Sequence, residues 1–159
     1  MEDILRMLEE DGRLTPAQIA ERTGRSEQEV AQEIKRLEEQ GIIRKYQAVI
    51  DWEKAGAEKV YAFIEVKVTP QRGVGFDAVA QRILRFPEVH SLHLISGDHD
   101  LHVVLQGNSM KEVAYFVAEK LAPLEGVQST GTHFVLKTYK MHGHIFPQEE
   151  QPGRLPVTL

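Results

Sequence analysis

The 159-residue chain contains no cysteine. That removes disulfides, thiolate zinc sites and cysteine nucleophiles together. Nothing in it approaches the roughly 18 consecutive apolar residues of a membrane helix, so no membrane partner is expected. The start, Met1-Glu-Asp-Ile-Leu5, is acidic where a secretory signal is basic, and a cytoplasmic protein is the expectation. Positive charge is short as well: 19 Lys and Arg face 24 Asp and Glu, a net charge of −5. No half of the chain escapes this, since residues 1–55 carry −4 and the remainder −1. A bulk positive field for nucleic acid is therefore excluded, and any DNA contact must come from locally arranged cations on several copies acting together. There is no phosphate-cradling glycine loop and no Gly-x-Ser-x-Gly elbow. All seven histidines fall after residue 89, but His99-x-x-His102 and His142-x-His144 complete no recognised ligand set. No catalytic residue, metal or cofactor is expected.

What is present begins with helix punctuation. Ile4, Leu5 and Leu8 mark one side of a short first helix that Asp11-Gly12 ends. Thr15, Pro16 and Gln18 form a capping box with proline at the first helical position, Ile19 and Ala20 are its buried face, and Gly24 closes it. Ser26 and Glu29 repeat the box and open a third helix, residues 26–40, with Val30, Ile34 and Leu37 as a core stripe. Two capped helices about a glycine turn have the sequence form of a helix-turn-helix. The β-branched run Ile42–Ile50, with a basic centre at Arg44-Lys45-Tyr46, fits a strand or hairpin wing over residues 1–50. The candidate DNA contacts are Arg25, Ser26, Lys35, Arg36, Arg44 and Lys45 on the backbone, and Gln28 and Gln32 on base edges. Glu33 stands out as an acidic residue on the helix expected to read DNA, either repelling phosphate there or pairing within the helix with Arg36.

A linker at 51–59 leads to a second pattern. Ala62, Ile64, Val66 and Val68 alternate with Tyr61, Phe63, Glu65 and Lys67 in a half-buried strand. A loop at Pro70–Gly75 follows, then a helix with Phe76, Val79, Ala80 and Ile83. Strands at Val89–Ile95 and Leu101–Leu105 flank the turn Ser96-Gly-Asp-His-Asp100. Ser109-x-x-Glu112 opens a helix with Val113, Phe116, Val117 and Leu121 on one face, and His133–Tyr139 reads as the last strand. The order βαββαβ over 60–141 predicts an α+β chain: an N-terminal winged helix-turn-helix followed by a ferredoxin-like antiparallel sheet with both helices on one side. The other side needs a cover, so a homodimer is expected, with Tyr61 and Phe63 on the covered face. The Pro- and Glu-rich tail, 142–159, reads as disordered.

In this order and spacing the residues resemble the Lrp/AsnC family of feast/famine regulators over about residues 3–140. The resemblance rests on Glu10-Asp-Gly-Arg13, Ile19-Ala20 with Thr23-Gly24, Ile34-x-x-Leu37-Glu38, Gly41-Ile42-Ile43 with Tyr46, the Ser96-Gly-Asp-x-Asp100-Leu101 turn, and Thr130-x-Thr132. Family sequences usually carry arginine where this chain has Glu33. The resemblance implies a transcriptional regulator whose dimers assemble further, often to octamers, and which binds double-stranded DNA and a small effector, often an amino acid, between subunits. The implied effector residues are Gly97, Asp98, Asp100, Thr130 and Thr132. Gly97 would expose backbone amides to a carboxylate, the two aspartates would receive an ammonium group, and the threonines, two apart on a strand, would add hydroxyls. Read without the resemblance, Gly-Asp-His-Asp is equally a favourable hairpin turn. Two other functions stay open at this point: an effector-binding or assembly protein with little DNA affinity, and a tetrapyrrole decarboxylase-like enzyme of the same architecture.

Overall fold

The computed structural model describes residues 1–69 and 75–146. The expected loop at 70–74 and the tail from 147 onward lie outside the described residues. The chain divides into two compact units, with the boundary between Ile50 and Asp51.

In the first unit, local capping chemistry sets the helix limits. α1 spans Glu2–Glu10, α2 Pro16–Thr23 and α3 Glu27–Glu39. The Thr15 hydroxyl accepts the Gln18 N–H while the Gln18 side chain accepts the Thr15 N–H, and Ser26 and Glu29 do the same for α3. Two otherwise orphaned amide donors are satisfied at each start. Gly24, at φ 68°, ends α2 in the left-handed conformation that glycine adopts at little cost. Ile4, Leu8, Ile19, Ala20 and Val30 form the core, with Met7, Leu14, Ile34 and Ile43 packed against them.

The segment Ile42–Ile50 is not the strand or hairpin its composition suggests. It is irregular throughout. Ile42 and Ile43 donate their N–H groups to the Leu37 carbonyl, closing α3, and Tyr46 donates from its hydroxyl to Glu38 at 3.0 Å. Strand propensity describes a side chain's fit to a sheet, and a sheet needs a hydrogen-bonded neighbour that this segment lacks among the described residues.

The second unit is a four-stranded antiparallel sheet whose strands, from edge to edge, are Val89–Leu94, Leu101–Gly107, Val60–Val68 and Val127–Phe134. β1 is Val60–Val68, β2 Val89–Leu94, β3 Leu101–Gly107 and β4 Val127–Phe134; α4 is Asp77–Ile83 and α5 Met110–Phe116. Ala62, Ile64, Val66 and Val68 are buried as their alternation predicts, in one cluster with Leu101, Val103 and Leu105 and with Val79, Ile83, Val113, Phe116, Val117 and Leu121 from the helical segments. Both helices thus cover one sheet face. Each large aliphatic side chain buried here contributes about 1.5–3 kcal/mol before chain entropy is counted.

Three details differ from the sequence pattern. Ser109 caps α5 through the Glu112 N–H, but the Glu112 carboxylate accepts from Asn108 instead of closing the expected box. After α5 the helix widens into a π turn, Val117–Leu121. An uninterrupted α-helix would put Lys120 on the Val113–Val117 stripe; the wider turn swings it to the edge and brings Leu121 inward. Its ammonium there meets Glu88 at 2.5 Å. The last strand of the sheet is Val127–Phe134, not His133–Tyr139, because pairing with β1 selects the polar Gln-Ser-Thr-Gly-Thr run. The expected tail begins within a hairpin: His144–Ile145 (β6) pairs with Lys140–Met141 (β5), the end of the preceding domain, across His142 and Gly143, whose φ values of 47° and 80° suit a two-residue hairpin turn. No helix among the described residues is long and apolar enough to cross a membrane.

Candidate DNA and effector sites

α3 buries Val30 and Leu37 and presents Gln28, Ala31, Gln32, Lys35 and Glu39 on the opposite, exposed side. The two glutamines proposed from sequence as base readers therefore share one face, one helical turn apart. The cations are placed differently. Arg36 grips Glu33 with two bonds, Nε at 2.9 Å and Nη2 at 2.7 Å, and gives Nη1 to Gln40 at 3.1 Å. It is therefore not a free phosphate contact. Glu33 has only 21% of its side chain exposed, and its hydrogen bond from Arg36 holds its carboxyl below the ordinary carboxylate range. Of the two places open to Glu33, facing DNA or pairing with Arg36 within the helix, it takes the second. Lys35 stands 3.8 Å from Glu39, a loose exposed pair of little energetic weight. The Ser26 hydroxyl is engaged by Glu29 in the cap, at 2.7 Å, and that bond lowers the Glu29 pKa. Arg25, Arg44 and Lys45 are exposed and make no ion pair among the described residues.

The Ser96–Asp100 turn is fastened to the end of β1. Gly97 adopts φ 118°, which side-chain-bearing residues rarely reach. The Asp100 N–H donates to the Val66 carbonyl at 3.0 Å, and the Asp100 carboxylate accepts the Val68 N–H at 2.8 Å. Lys67 Nζ lies 3.5 Å from Asp100 and donates to the Asp98 carbonyl at 2.7 Å. Asp100 is thus a structural acceptor, which corrects its reading as a free receptor for a ligand ammonium. Ser96, Gly97 and Asp98 remain exposed. Thr130 pairs with Val66 and Thr132 with Ile64, so both hydroxyls lie on the helix-bearing side of edge strand β4. The turn and the threonines abut the same end of β1 from opposite flanks. Lys67, which holds the turn, was not singled out in the sequence; its place opposite Val66 and Val68 in the alternation was the available signal.

The other sheet face carries an unanticipated cluster. His93, His102, Glu65 and Gly131 line up across four strands. Glu65 Oε2 is 3.4 Å from both His99 Nδ1 and His133 Nε2. The Phe63 ring, 41% exposed by residue, lies 5.3 Å from the His102 ring, and Tyr61 meets His90 edge-on at 6.2 Å. No three His, Asp or Glu groups converge to hold a metal ion among the described residues.

Comparison with known proteins adds independent findings. Residues 61–145 match the Lrp/AsnC ligand binding domain, and residues 2–44 match a winged helix-turn-helix DNA-binding domain. The uncharacterized HTH-type transcriptional regulator YugG of Bacillus subtilis is 49% identical over 157 residues, covering 98% of this chain and 95% of its own. The HTH-type transcriptional regulator FL11 of Pyrococcus furiosus is 32% identical over 137 residues, covering 86% and 87%. Among solved structures, the transcriptional regulator NMB0573 of Neisseria meningitidis, crystallised as a complex with L-Met, superposes with a TM-score of 0.72 at 30% identity, covering 91% of this chain and 92% of its own.

Proposed function

The chain belongs to the Lrp/AsnC family of transcriptional regulators, and from that premise we propose that it is a cytoplasmic homo-oligomer whose DNA affinity is set by an amino acid bound between subunits. The family's members and the relatives of this chain are transcriptional regulators, not enzymes. The observation that carries the effector reading is the exposed Gly97–Asp98 turn, held rigidly to β1 by Asp100 and Lys67. A rigid turn with accessible amides and one uncommitted carboxylate suits a zwitterion. In this reading Gly97 and its neighbours take the ligand carboxylate, Asp98 takes the ammonium, Thr130 and Thr132 add hydroxyls, and Asp100 keeps the turn in place. The L-Met complex of NMB0573 supports the ligand class. The open sheet face, with Phe63 and Tyr61 at its surface, is the proposed dimer contact. DNA is engaged by Gln28 and Gln32 of α3, with Arg25, Arg44 and Lys45 on phosphates.

A ligand alters DNA binding only through different affinities for two assembly states. Calorimetry of the full-length protein against the twenty amino acids, followed by gel shifts on its own promoter region with and without any binder, tests the proposal. Binding of an amino acid lost in Asp98→Asn is the expected result. A wild type that binds none of the twenty overturns the amino-acid reading. The Arg36–Glu33 pair on α3 favours a second reading, an assembly protein with little DNA affinity; absence of any shifted band at low salt would select it.

A further inference from the structure

We infer that α3 reads two A·T base pairs separated by one intervening pair, through the side-chain amides of Gln28 and Gln32, and has no guanidinium available for guanine. The inference rests on the reading that α3 enters the major groove of DNA.

The exposed side of α3 decides it. Gln28 and Gln32 stand four residues apart, which puts them on one face with a rise of about 6 Å between them. Stacked base pairs advance about 3.4 Å each, so the two amides span two steps. An amide offers a donor and an acceptor side by side, the complement of adenine's N6–H and N7. Guanine presents two acceptors, and its usual partner is the fork of an arginine or the ammonium of a lysine; Lys35, on the same face, stands 3.8 Å from Glu39. The one arginine on α3, Arg36, has its Nε and Nη2 on Glu33 and its Nη1 on Gln40. Arg25 precedes the Ser26 cap and is left for phosphate. Ala31, exposed beside the two glutamines, is small enough to let both amides approach a base edge. Glu33 thereby acts as a positioning residue. It shapes the code by keeping Arg36 away from the groove.

The test selects bound duplexes from a randomised pool with the full-length protein, then repeats the selection with Gln28→Ala, Gln32→Ala and Glu33→Gln, each verified as folded by circular dichroism. Wild type should enrich two A·T pairs with one pair between them. Gln28→Ala and Gln32→Ala should each erase the preference at one of the two positions, on the order of tenfold in discrimination, while leaving the other unchanged. Glu33→Gln should introduce a guanine preference that wild type lacks. Guanine at either position with wild type, or unchanged sequences with both alanine variants, overturns the inference while leaving DNA binding itself intact. A folded wild type that enriches no sequence refutes the DNA-reading premise instead.

Discussion

Removing the Asp100 carboxylate should unfasten the Ser96–Asp100 turn and destabilise the sheet unit, and two substitutions separate the reasons. The carboxylate accepts the Val68 N–H at 2.8 Å, next to the register shift at Lys67/Val68 where β1 leaves its regular pairing with β4. Its side chain is 17% exposed, and Val68 is 2% exposed. Hydrogen bonds to charged groups are worth about 1.5–3 kcal/mol, and the loss is greatest when the abandoned donor stays buried. The Lys67 pair adds little: at 3.5 Å, with Lys67 38% exposed, it belongs with surface pairs of about 0–1 kcal/mol. Asp100→Ala should therefore cost about 2–3 kcal/mol, and Asp100→Asn, which keeps an acceptor oxygen for Val68, about 1 kcal/mol. Urea unfolding of the full-length protein, followed by circular dichroism at neutral pH, measures both. The midpoint of the sheet unit should fall with an unchanged slope. If alanine costs under about 0.5 kcal/mol, or asparagine costs as much as alanine, the acceptor argument is wrong.

Glu88→Gln tests a second carboxylate. Its pKa is lowered, chiefly by the hydrogen bond from Lys120, from an ordinary 4.5. The stabilisation is thus fully present above pH 4.5 and is lost as pH falls through the lower folded value. Wild type should be more stable than Glu88→Gln at neutral pH, and the two should converge in acid; a difference that persists at the lowest pH still folded would count against it. Gly126→Ala should destabilise more than Gly97→Ala in the same urea assay. Both glycines have positive φ, 93° and 118°, but a Cβ at 126 would lie 2.8 Å from Val79 Cγ2 whereas that at 97 meets open space. Equal losses would show that backbone strain alone matters. Thr15→Ala should remove the α2 cap and cost about 1 kcal/mol in the helical unit, measured by the same method.

Features specified within one or two helical turns were legible in the sequence, and those that depend on a distant partner were not. The Thr15 and Ser26 boxes, Gly24, and the alternation of Ala62 through Val68 each involve residues a few places apart. The limits of β4 depend on which segment β1 accepts as a neighbour, and the fate of Ile42–Ile50 depends on having a neighbour at all. Asp100 looked like a ligand group because its residue type is acidic, but its role is set by an amide 32 positions back in the chain. Glu33 is instructive in the opposite sense. Its partner is only three residues away, at a spacing known to allow pairing, and a local reading was sufficient to find it. The π turn left a trace too, in a lysine placed where a regular helix would have faced it inward.

The two hydrophobic clusters have no residue in common, one being built from Ile4 to Val30 and the other from Ala62 to Leu121. This separation has a genetic meaning. A lesion that melts the small helical core around Ile19 leaves the sheet's own core untouched, so the damaged subunit keeps the surface through which copies are proposed to associate. Mixed with normal subunits, it would occupy places in the assembly while contributing no reading head. On the proposed association, such alleles would be dominant over wild type, whereas alleles that melt the sheet would drop out of the assembly and be recessive.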